Sequence, residues 1–351
     1  RIHRARGGMS ADRLDALLFT DPANVFYLSG FRGSDGALLL TRTEAILLVD
    51  GRYGTAAKRQ APGCRLIVYP AKVRGICEEI RRLRVRRIGF EAKATPVEFF
   101  DSLRKELPKI QWVRPSDWHA SLRAVKDRSE MAVLRRANQI ADRAFAKLSR
   151  GIRVGQRERD LSLELEVFIR KSGAEGPSFP FSVASGENSS LPHAHSEMRK
   201  IRKGEPIFFD FGCSMEGYQT DQTVTLFLGS VPKFWREVYD TVKEAHDRAI
   251  AALKPGVNAA DIDGVAREYI TKRGFGKEFS HSLGHGVGIE IHEYPLISGT
   301  SKARLRPGMV FTIEPGIYIP GKGGVRIEDT VYLKRNGVEV LTSVDKVLHA
   351  R

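Results

Sequence analysis

The sequence predicts an α/β domain over residues 1–122, followed by a domain of the α+β class over residues 123–351. The first observation is length, since 351 residues exceed one ordinary core. The second is that short apolar strands alternate with helical stretches through the first third. The third is that long helical patterns then lead into strands that carry acidic side chains. We therefore expect two cores of different architecture.

The first domain is predicted from a succession of apolar runs. Residues 14–52 predict a strand (LDALLFT), a loop (NVFYLSGF) and two further strands (GALLLT and EAILLVD). A helix from Gly54, the strand RLIVYP and a helix near 75–83 come next. The strand RRIGFE and the helix PVEFFDSLRKEL, which Pro96 opens, complete the domain.

The second domain begins with a long helix, DRSEMAVLRRANQIADRAFAKLS. Met131, Leu134, Ile140, Ala144 and Leu148 recur at helical spacing, which is typical of a core-facing stripe. Further helices are expected near 158–172, 234–253 and 259–273, with strands between and after them.

Composition and charge exclude several classes of protein. No run approaches the roughly 20 apolar residues of a membrane span, and three widely spaced cysteines favour a reducing cytoplasm over a disulfide framework. The net charge of +15 is concentrated early, with 23 of the 57 basic residues and 13 of the 42 acidic residues in positions 1–125. A basic segment such as RRLRVRR could bind phosphates, but it lacks interleaved aromatic residues or a known motif, so we expect no nucleic-acid partner.

The most informative segment is FFDFGCSMEGYQTDQTVTLFLG, residues 208–229. It predicts a hairpin in which Asp210 and Asp221 lie on facing strands. Opposite side chains on such a pair are about 4.5–5.5 Å apart, and two ionised carboxylates at that range need a cation or a shared proton.

Further ligand types occur in later strands. His285 lies between two glycines, whose small size lets another group approach closely. Glu314 ends a strand, and Glu328 lies in the middle of another, on the same face as Arg326. Four carboxylates and one imidazole carry about −4, which balances two divalent cations. Oxygen-rich ligation with one histidine suits Mn, Co, Zn or Fe without choosing among them.

These motifs resemble the pita-bread metallopeptidase family, which includes methionine aminopeptidase, aminopeptidase P and prolidase. The matching segments are SGENSSLPHAH, IFFDFG with GYQTDQTVT, HSLGHGVGIEIHE, RPGMVFTIEPGIY and GVRIEDTVYL. In the first domain, DALLFTDPANVFYLSGFRGSDGALLLT and DGRY are similar to the domain that precedes this fold in prolidases and aminopeptidases P. The resemblance implies a pita-bread catalytic domain, two metal ions and the ligands Asp210, Asp221, His285, Glu314 and Glu328.

The resemblance also implies roles for other residues. His193 and His292 match histidines that bind the substrate, and both are expected to be catalytic. His292 would hydrogen-bond the reacting carbonyl or move a proton. His281 matches a pocket-lining position, Arg326 is expected to contact substrate, and Glu314 is expected to be catalytic as well as a ligand. His195 has no such match.

The expected activity is hydrolysis of the Xaa-Pro bond at the N-terminus of peptides. This bond is a tertiary amide with no N–H, so a site that polarises the carbonyl with metal suits it. Some prolidases carry an arginine where Leu296 stands, which favours an Xaa-Pro aminopeptidase, with Xaa-Pro dipeptidase as the alternative. A non-catalytic binder of peptides or nucleic acid is a remote alternative, and relatives imply a homodimer.

Overall fold

The computed structural model describes residues 1–116, 118 and 121–346. It divides into two compact units, Arg1–Leu122 and Arg123–Arg351. No helix in the described ranges combines the length and apolar character needed to cross a membrane.

The first unit is built around a six-stranded mixed sheet with the order β4-β3-β2-β1-β5-β6. Its strands are β1 (Ala16–Phe19), β2 (Ala37–Thr41), β3 (Ala45–Asp50), β4 (Arg65–Tyr69), β5 (Arg87–Phe90) and β6 (Gln111–Val113). The β1–β2 and β2–β3 pairs are antiparallel, whereas β4, β5 and β6 join in parallel. Strands β1 to β3 are apolar along nearly their whole length because both faces of the sheet are covered.

Helices complete the first unit as α1 (Ile2–Ala11), α2 (Pro22–Ser29), α3 (Gly54–Gln60), α4 (Lys72–Leu83) and α5 (Val97–Glu106). The predicted loop NVFYLSGF is wrong, because most of it forms α2. Asp21 caps this helix by accepting from the Ala23 N–H at 3.0 Å, Pro22 occupies its first turn, and Gly30 ends it with φ +86°. These are standard helix boundary signals, and the run is apolar all round because the helix is buried.

The second unit segregates helices from antiparallel strands, which confirms the predicted α+β class. Its helices are α6 (Arg128–Ser149), α7 (Glu158–Lys171), α8 (Lys233–Ala252) and α9 (Ala259–Lys272). Asp127 and Glu130 form a reciprocal capping box at the start of α6. The predicted core residues Met131, Leu134 and Leu148 are buried, as helical periodicity requires.

The strands of the second unit form small antiparallel sheets with the orders β11-β10-β7, β12-β9-β8, β14-β13-β15-β18-β19 and β16-β17. The earlier strands are β7 (Gly176–Pro177), β8 (Ser182–Ser185), β9 (Pro206–Phe211), β10 (Cys213–Met215), β11 (Tyr218–Gln219) and β12 (Gln222–Phe227). The later ones are β13 (Gly284–Gly286), β14 (Glu293–Ile297), β15 (Val310–Ile313), β16 (Gly316–Ile319), β17 (Gly323–Arg326), β18 (Asp329–Lys334) and β19 (Gly337–Val340).

Two large apolar cores lie among the described residues of this unit. One lies between α6, α7 and the β9–β12 region and includes Phe145, Leu165 and Phe209. The other lies beneath α8 and α9 and includes Val242 and Phe311. Strands from both regions end at one cavity.

Candidate active site

A cavity of about 500 Å³ in the second unit gathers all nine of the predicted site residues. Its lining comprises Phe179, Pro192, His193, Asp210, Asp221, His281, Ser282, His285, Ile291, His292, Glu293, Leu296, Glu314, Arg326 and Glu328. A volume of this size is typical of a small-ligand pocket. The side chain of His195 is not among the lining residues, as expected.

Asp210 and Asp221 do not lie directly opposite each other on the hairpin, so the predicted direct pairing is wrong. Asp210 lies opposite Thr223, and Asp221 immediately precedes β12. Asp221 is therefore a diagonal neighbour of Asp210, and such neighbours share a sheet face. The strands approach so closely beyond Asp210 that a Cβ on Gly212 would lie 1.8 Å from the Thr220 carbonyl oxygen. Glycine at this position permits the bend that leaves both carboxylates facing the cavity.

Glu328 occupies a break between β17 and β18, so the prediction of an uninterrupted strand through it is wrong. Its backbone N–H donates to the Thr223 carbonyl at 3.1 Å, and its carboxylate accepts from the Thr223 hydroxyl at 2.7 Å. Thr223 thus anchors Glu328 beside the Asp221 strand. Thr223 and Glu328 are 105 residues apart in the chain, so the sequence alone does not reveal that they pair.

His285 and Glu314 are linked through Thr312. The hydroxyl of Thr312 accepts from the His285 backbone N–H at 3.0 Å and donates to Glu314 Oε1 at 3.2 Å. The glycines beside His285 are required by close backbone contact, as predicted. A Cβ at Gly284 would lie 2.0 Å from the Thr312 carbonyl oxygen, and one at Gly286 would lie 2.5 Å from the Tyr294 carbonyl oxygen.

The carboxylates strongly perturb one another's titration. Burial raises the pKa of Asp221 well above its ordinary value, and the charges of Glu328, Asp210 and Glu314 add to this rise. The pKa of Glu328 is likewise well raised by burial and by the charges of Glu314 and Asp210. For Glu314, burial favours a higher pKa, but the hydrogen bond and charge of His285 outweigh it and hold the pKa at about 2. The four carboxylates therefore hold more negative charge than Arg326 and His285 neutralise.

The orientation of His285 tests whether a cation fits. Its Nδ1 lies 3.1 Å from the Gly286 carbonyl oxygen, which can only accept, so Nδ1 carries a proton. Its Nε2 faces Glu314 Oε1 at 3.3 Å and Asp221 Oδ2 at 3.5 Å. Although burial disfavours the charged ring, the hydrogen bond and charge of Glu314 raise the pKa of His285, so without metal Nε2 holds a proton between these carboxylates. A divalent cation would take the place of that proton, with Nε2 as its ligand. Ligand atoms of Asp221, His285 and Glu328 all lie within 4.8 Å of one another, so this donor set fits a divalent metal ion.

Arg326 connects the ligand cluster to the substrate-facing side of the cavity. This buried guanidinium donates to Asp210 Oδ2 at 2.6 Å, to the Thr223 hydroxyl at 3.0 Å and to the Tyr318 hydroxyl at 2.9 Å. It also donates to the Pro192 carbonyl at 2.8 Å, next to His193. With these contacts Arg326 holds side chains in position. Its predicted contact with substrate remains a prediction.

The three histidines outside the ligand cluster surround it. His292 packs edge-on against His285 with ring centroids 4.3 Å apart, and His281 Nε2 lies 3.0 Å from the Tyr318 hydroxyl. Burial lowers the pKa of both His281 and His292, and for His292 the charge of His285 lowers it further. The imidazole of His193 has no hydrogen-bond partner among the described residues, which leaves its ring nitrogens available to a ligand.

Sequence reasoning missed several residues of the cavity. Phe179 and Ile291 add apolar surface to the wall where Leu296 is about half exposed. Tyr318 and Thr312 support the histidines and Glu314 from behind. An alternating strand pattern signals Thr223 and Thr312, whereas nothing in the sequence marks the apolar wall.

Comparisons with known proteins cover the whole chain. The profile of metallopeptidase family M24 matches residues 132–335, and that of the Creatinase/Prolidase N-terminal domain matches residues 1–125. The Xaa-Pro dipeptidase of Pyrococcus furiosus is 38% identical over 351 residues, covering 99% of each chain.

Solved structures agree with these matches. An Xaa-Pro dipeptidase from Bacillus anthracis is 36% identical with a TM-score of 0.96, covering 100% of this chain and 99% of that one. An X-Pro aminopeptidase from Thermotoga maritima is 33% identical with a TM-score of 0.90, covering 98% and 100%. These likenesses confirm the predicted fold class.

Proposed function

Because the chain belongs to metallopeptidase family M24 and is a metallo-exopeptidase, we propose that it hydrolyses the Xaa-Pro bond of dipeptides. Two divalent metal ions would be held by Asp210, Asp221, His285, Glu314 and Glu328. The observation that carries this proposal is the −4 carboxylate cluster around His285 Nε2 in one cavity. Manganese, cobalt and zinc all suit this donor set.

The domain assignment accompanies the proposal. Residues 1–122 would be the creatinase-like N-terminal domain, and residues 123–351 the pita-bread catalytic domain. We also propose that the chain forms a homodimer, by analogy with the family.

Bound ions would supply a Lewis acid for the scissile carbonyl and would lower the pKa of a water molecule. The residues of the chain do the rest. The pKa of Glu314 is lowered to about 2, and its Oε2 accepts no hydrogen bond from the described residues, so this oxygen would receive a proton from the attacking water. His292 is neutral because burial and His285 lower its pKa, and it would donate an N–H to the carbonyl oxygen. His193 would bind the substrate from the opposite loop.

The preference for dipeptides is supported by relatives of matching length. The Pyrococcus furiosus and Bacillus anthracis proteins are both named Xaa-Pro dipeptidases, and each aligns with this chain over almost its full length. These names favour the dipeptidase interpretation over the aminopeptidase interpretation that Leu296 suggested from sequence.

A specific observation keeps Xaa-Pro aminopeptidase as the second candidate. Leu296 is 49% exposed in the cavity wall, where a dipeptide would bring its carboxylate after proline. Arg326 is the only arginine or lysine among the described lining residues, and Asp210 and three further acceptors already occupy it. A carboxylate without a charged partner costs on the order of 1–3 kcal/mol, or roughly ten- to a hundredfold in rate constant.

A substrate panel tests the proposal. Protein supplied with Mn²⁺ or Co²⁺ is assayed on Xaa-Pro dipeptides, Xaa-Pro-Xaa tripeptides and Xaa-Ala dipeptides. We expect the highest kcat/KM on Xaa-Pro dipeptides and little cleavage of Xaa-Ala. Tripeptides cleaved as well or better, with release of the first residue, would establish the aminopeptidase instead.

Two variants sharpen the panel. Leu296→Arg should raise kcat/KM for dipeptides by roughly tenfold, because it adds a cation beside the carboxylate. Leu296→Met is the matched control. It preserves an apolar side chain and should leave the ratio of kcat/KM for dipeptides to that for tripeptides unchanged. No hydrolysis of any Xaa-Pro peptide by the metal-loaded, folded protein would overturn the proposed function.

A further inference from the structure

The loop that carries His193 is closed at its base by one carboxylate outside the cavity. Glu158 lies in the first turn of α7, and its side chain is completely buried. Its Oε1 accepts from the backbone N–H and the hydroxyl of Ser185, both at 2.7 Å. Its Oε2 accepts from Asn188 Nδ2 at 2.7 Å and from the Glu197 N–H at 3.1 Å. The two oxygens therefore hold the two sides of the loop over residues 186–196.

The contacts suit an ionised carboxylate and no other side chain. All four partners are donors, so each oxygen must act as an acceptor twice. Burial raises the pKa of Glu158 above its ordinary value, and these hydrogen bonds offset part of that rise. A glutamine would place its amide nitrogen against two donors, and an aspartate is one methylene too short to reach.

Hydrogen bonds of Asn188 and Arg326 connect the Glu158 contacts to the part of the loop that lines the cavity. Asn188 Nδ2 also donates to the His195 carbonyl at 2.9 Å, which links both sides of the loop through one amide. Arg326 holds the Pro192 carbonyl from the cavity side. Because the His193 imidazole makes no hydrogen bond with the described residues, the backbone of this loop decides where its ring lies.

We propose that Glu158 is a positioning residue for substrate binding. It fixes the two sides of the loop and thereby places the His193 imidazole over the cavity. This inference rests on the proposed function, since it assigns to His193 the binding of the Xaa-Pro peptide. Glu158 does not touch the predicted metal ligands, so its effect is confined to substrate.

Glu158→Gln tests the inference through steady-state kinetics and metal content. We expect KM for Xaa-Pro peptides to rise about tenfold, with kcat within about threefold of the unmutated protein and the bound metal unchanged. Loss of binding common to ground and transition states raises KM alone. Glu164→Gln is the matched control, because Glu164 lies on the exposed side of the same helix, and its KM should not change.

A compensating variant separates positioning from general destabilisation. In the double variant Glu158→Gln with Asn188→Asp, the new amide can donate to the new carboxylate, and KM should return part of the way. The single variant Asn188→Asp places two carboxylates together and should raise KM. Should Glu158→Gln fail to fold, Asn188→Ala removes one of the four contacts and should raise KM more modestly.

Hydrogen exchange gives a readout that does not depend on activity. Backbone amides of residues 186–196 should exchange faster in Glu158→Gln than in Glu164→Gln. Equal exchange and equal KM in these two variants would overturn the inference, as would a loss of kcat and metal together. Absence of hydrolysis by the unmutated protein would instead count against the proposed function, and exchange would still decide whether Glu158 holds the loop.

Discussion

Replacing Asp221 with asparagine should stabilise the metal-free protein while weakening metal binding. Ligand atoms of Asp221, His285 and Glu328 lie within 4.8 Å of one another, and the carboxylates are buried. Two unit charges at that distance repel by about 3.5 kcal/mol at an effective dielectric constant of about 20. Uptake of a proton relieves part of this repulsion, so we expect Asp221→Asn to raise the free energy of unfolding by about 1–3 kcal/mol in chelator.

Thermal unfolding in EDTA and in excess Mn²⁺ measures both halves of the prediction. In EDTA the variant should melt several degrees above the unmutated protein, since 1 kcal/mol corresponds to about 2–4 °C for a unit of this size. In excess Mn²⁺ the unmutated protein should instead have the higher melting temperature. The unmutated protein gains about 2.7 kcal/mol when free metal is about 100 times Kd, and the variant loses most of that gain.

Asp142→Asn is the matched control for this experiment. Asp142 is also buried, but it accepts from Gln222 Nε2 at 2.9 Å and from the Ser343 N–H at 2.8 Å. Its amide variant should be less stable in both media, because donors would then face an amide nitrogen. An Asp221→Asn protein that melts below the unmutated protein in EDTA, or that keeps the full Mn²⁺ shift, would refute the reasoning.

Three other predictions concern distinct parts of the molecule. His292→Ala should retain bound metal yet lower kcat roughly 10²–10⁴-fold, and loss of an ion on elemental analysis would make His292 a ligand instead. Glu293→Gln should cost about 3 kcal/mol or more in urea denaturation, because the Lys126 ammonium, 3.1 Å away and buried, loses its anion. The half-exposed Glu290 is the control, and its glutamine variant should change stability by less than about 1 kcal/mol. Burial raises the pKa of Glu91 to about 7, although three donors favour its charged form. The folded state therefore holds the proton more tightly, and about 3 kcal/mol of stability present below pH 4.5 should be lost as pH rises through 7. Glu91→Gln should lack this loss, and parallel pH profiles of the two proteins would contradict the assignment.

Local patterns in the sequence were sufficient for most secondary structure. The α6 stripe has a clear period of 3.6 and the β12 run alternates with a period of 2, and Asp127 and Pro96 mark helix starts. The same information missed α2, since an apolar run buried on all sides has no period to detect. The break at Glu328 was missed because a strand pattern continues through it.

The sequence by itself determined which chemical groups the site contains, because residue type fixes charge and ligand character without reference to fold. Four carboxylates and an imidazole among strand-forming residues already predicted a cation site. Only the tertiary structure decided how they meet. Thr223 binds Glu328, Thr312 joins His285 to Glu314, and Arg326 joins Asp210 to Pro192. The role of Glu158 could not be predicted from sequence either, because its four hydrogen-bond donors belong to residues 27–39 positions away. Contacts between distant segments depend on how strands and loops pack, and local propensity carries no information about that packing.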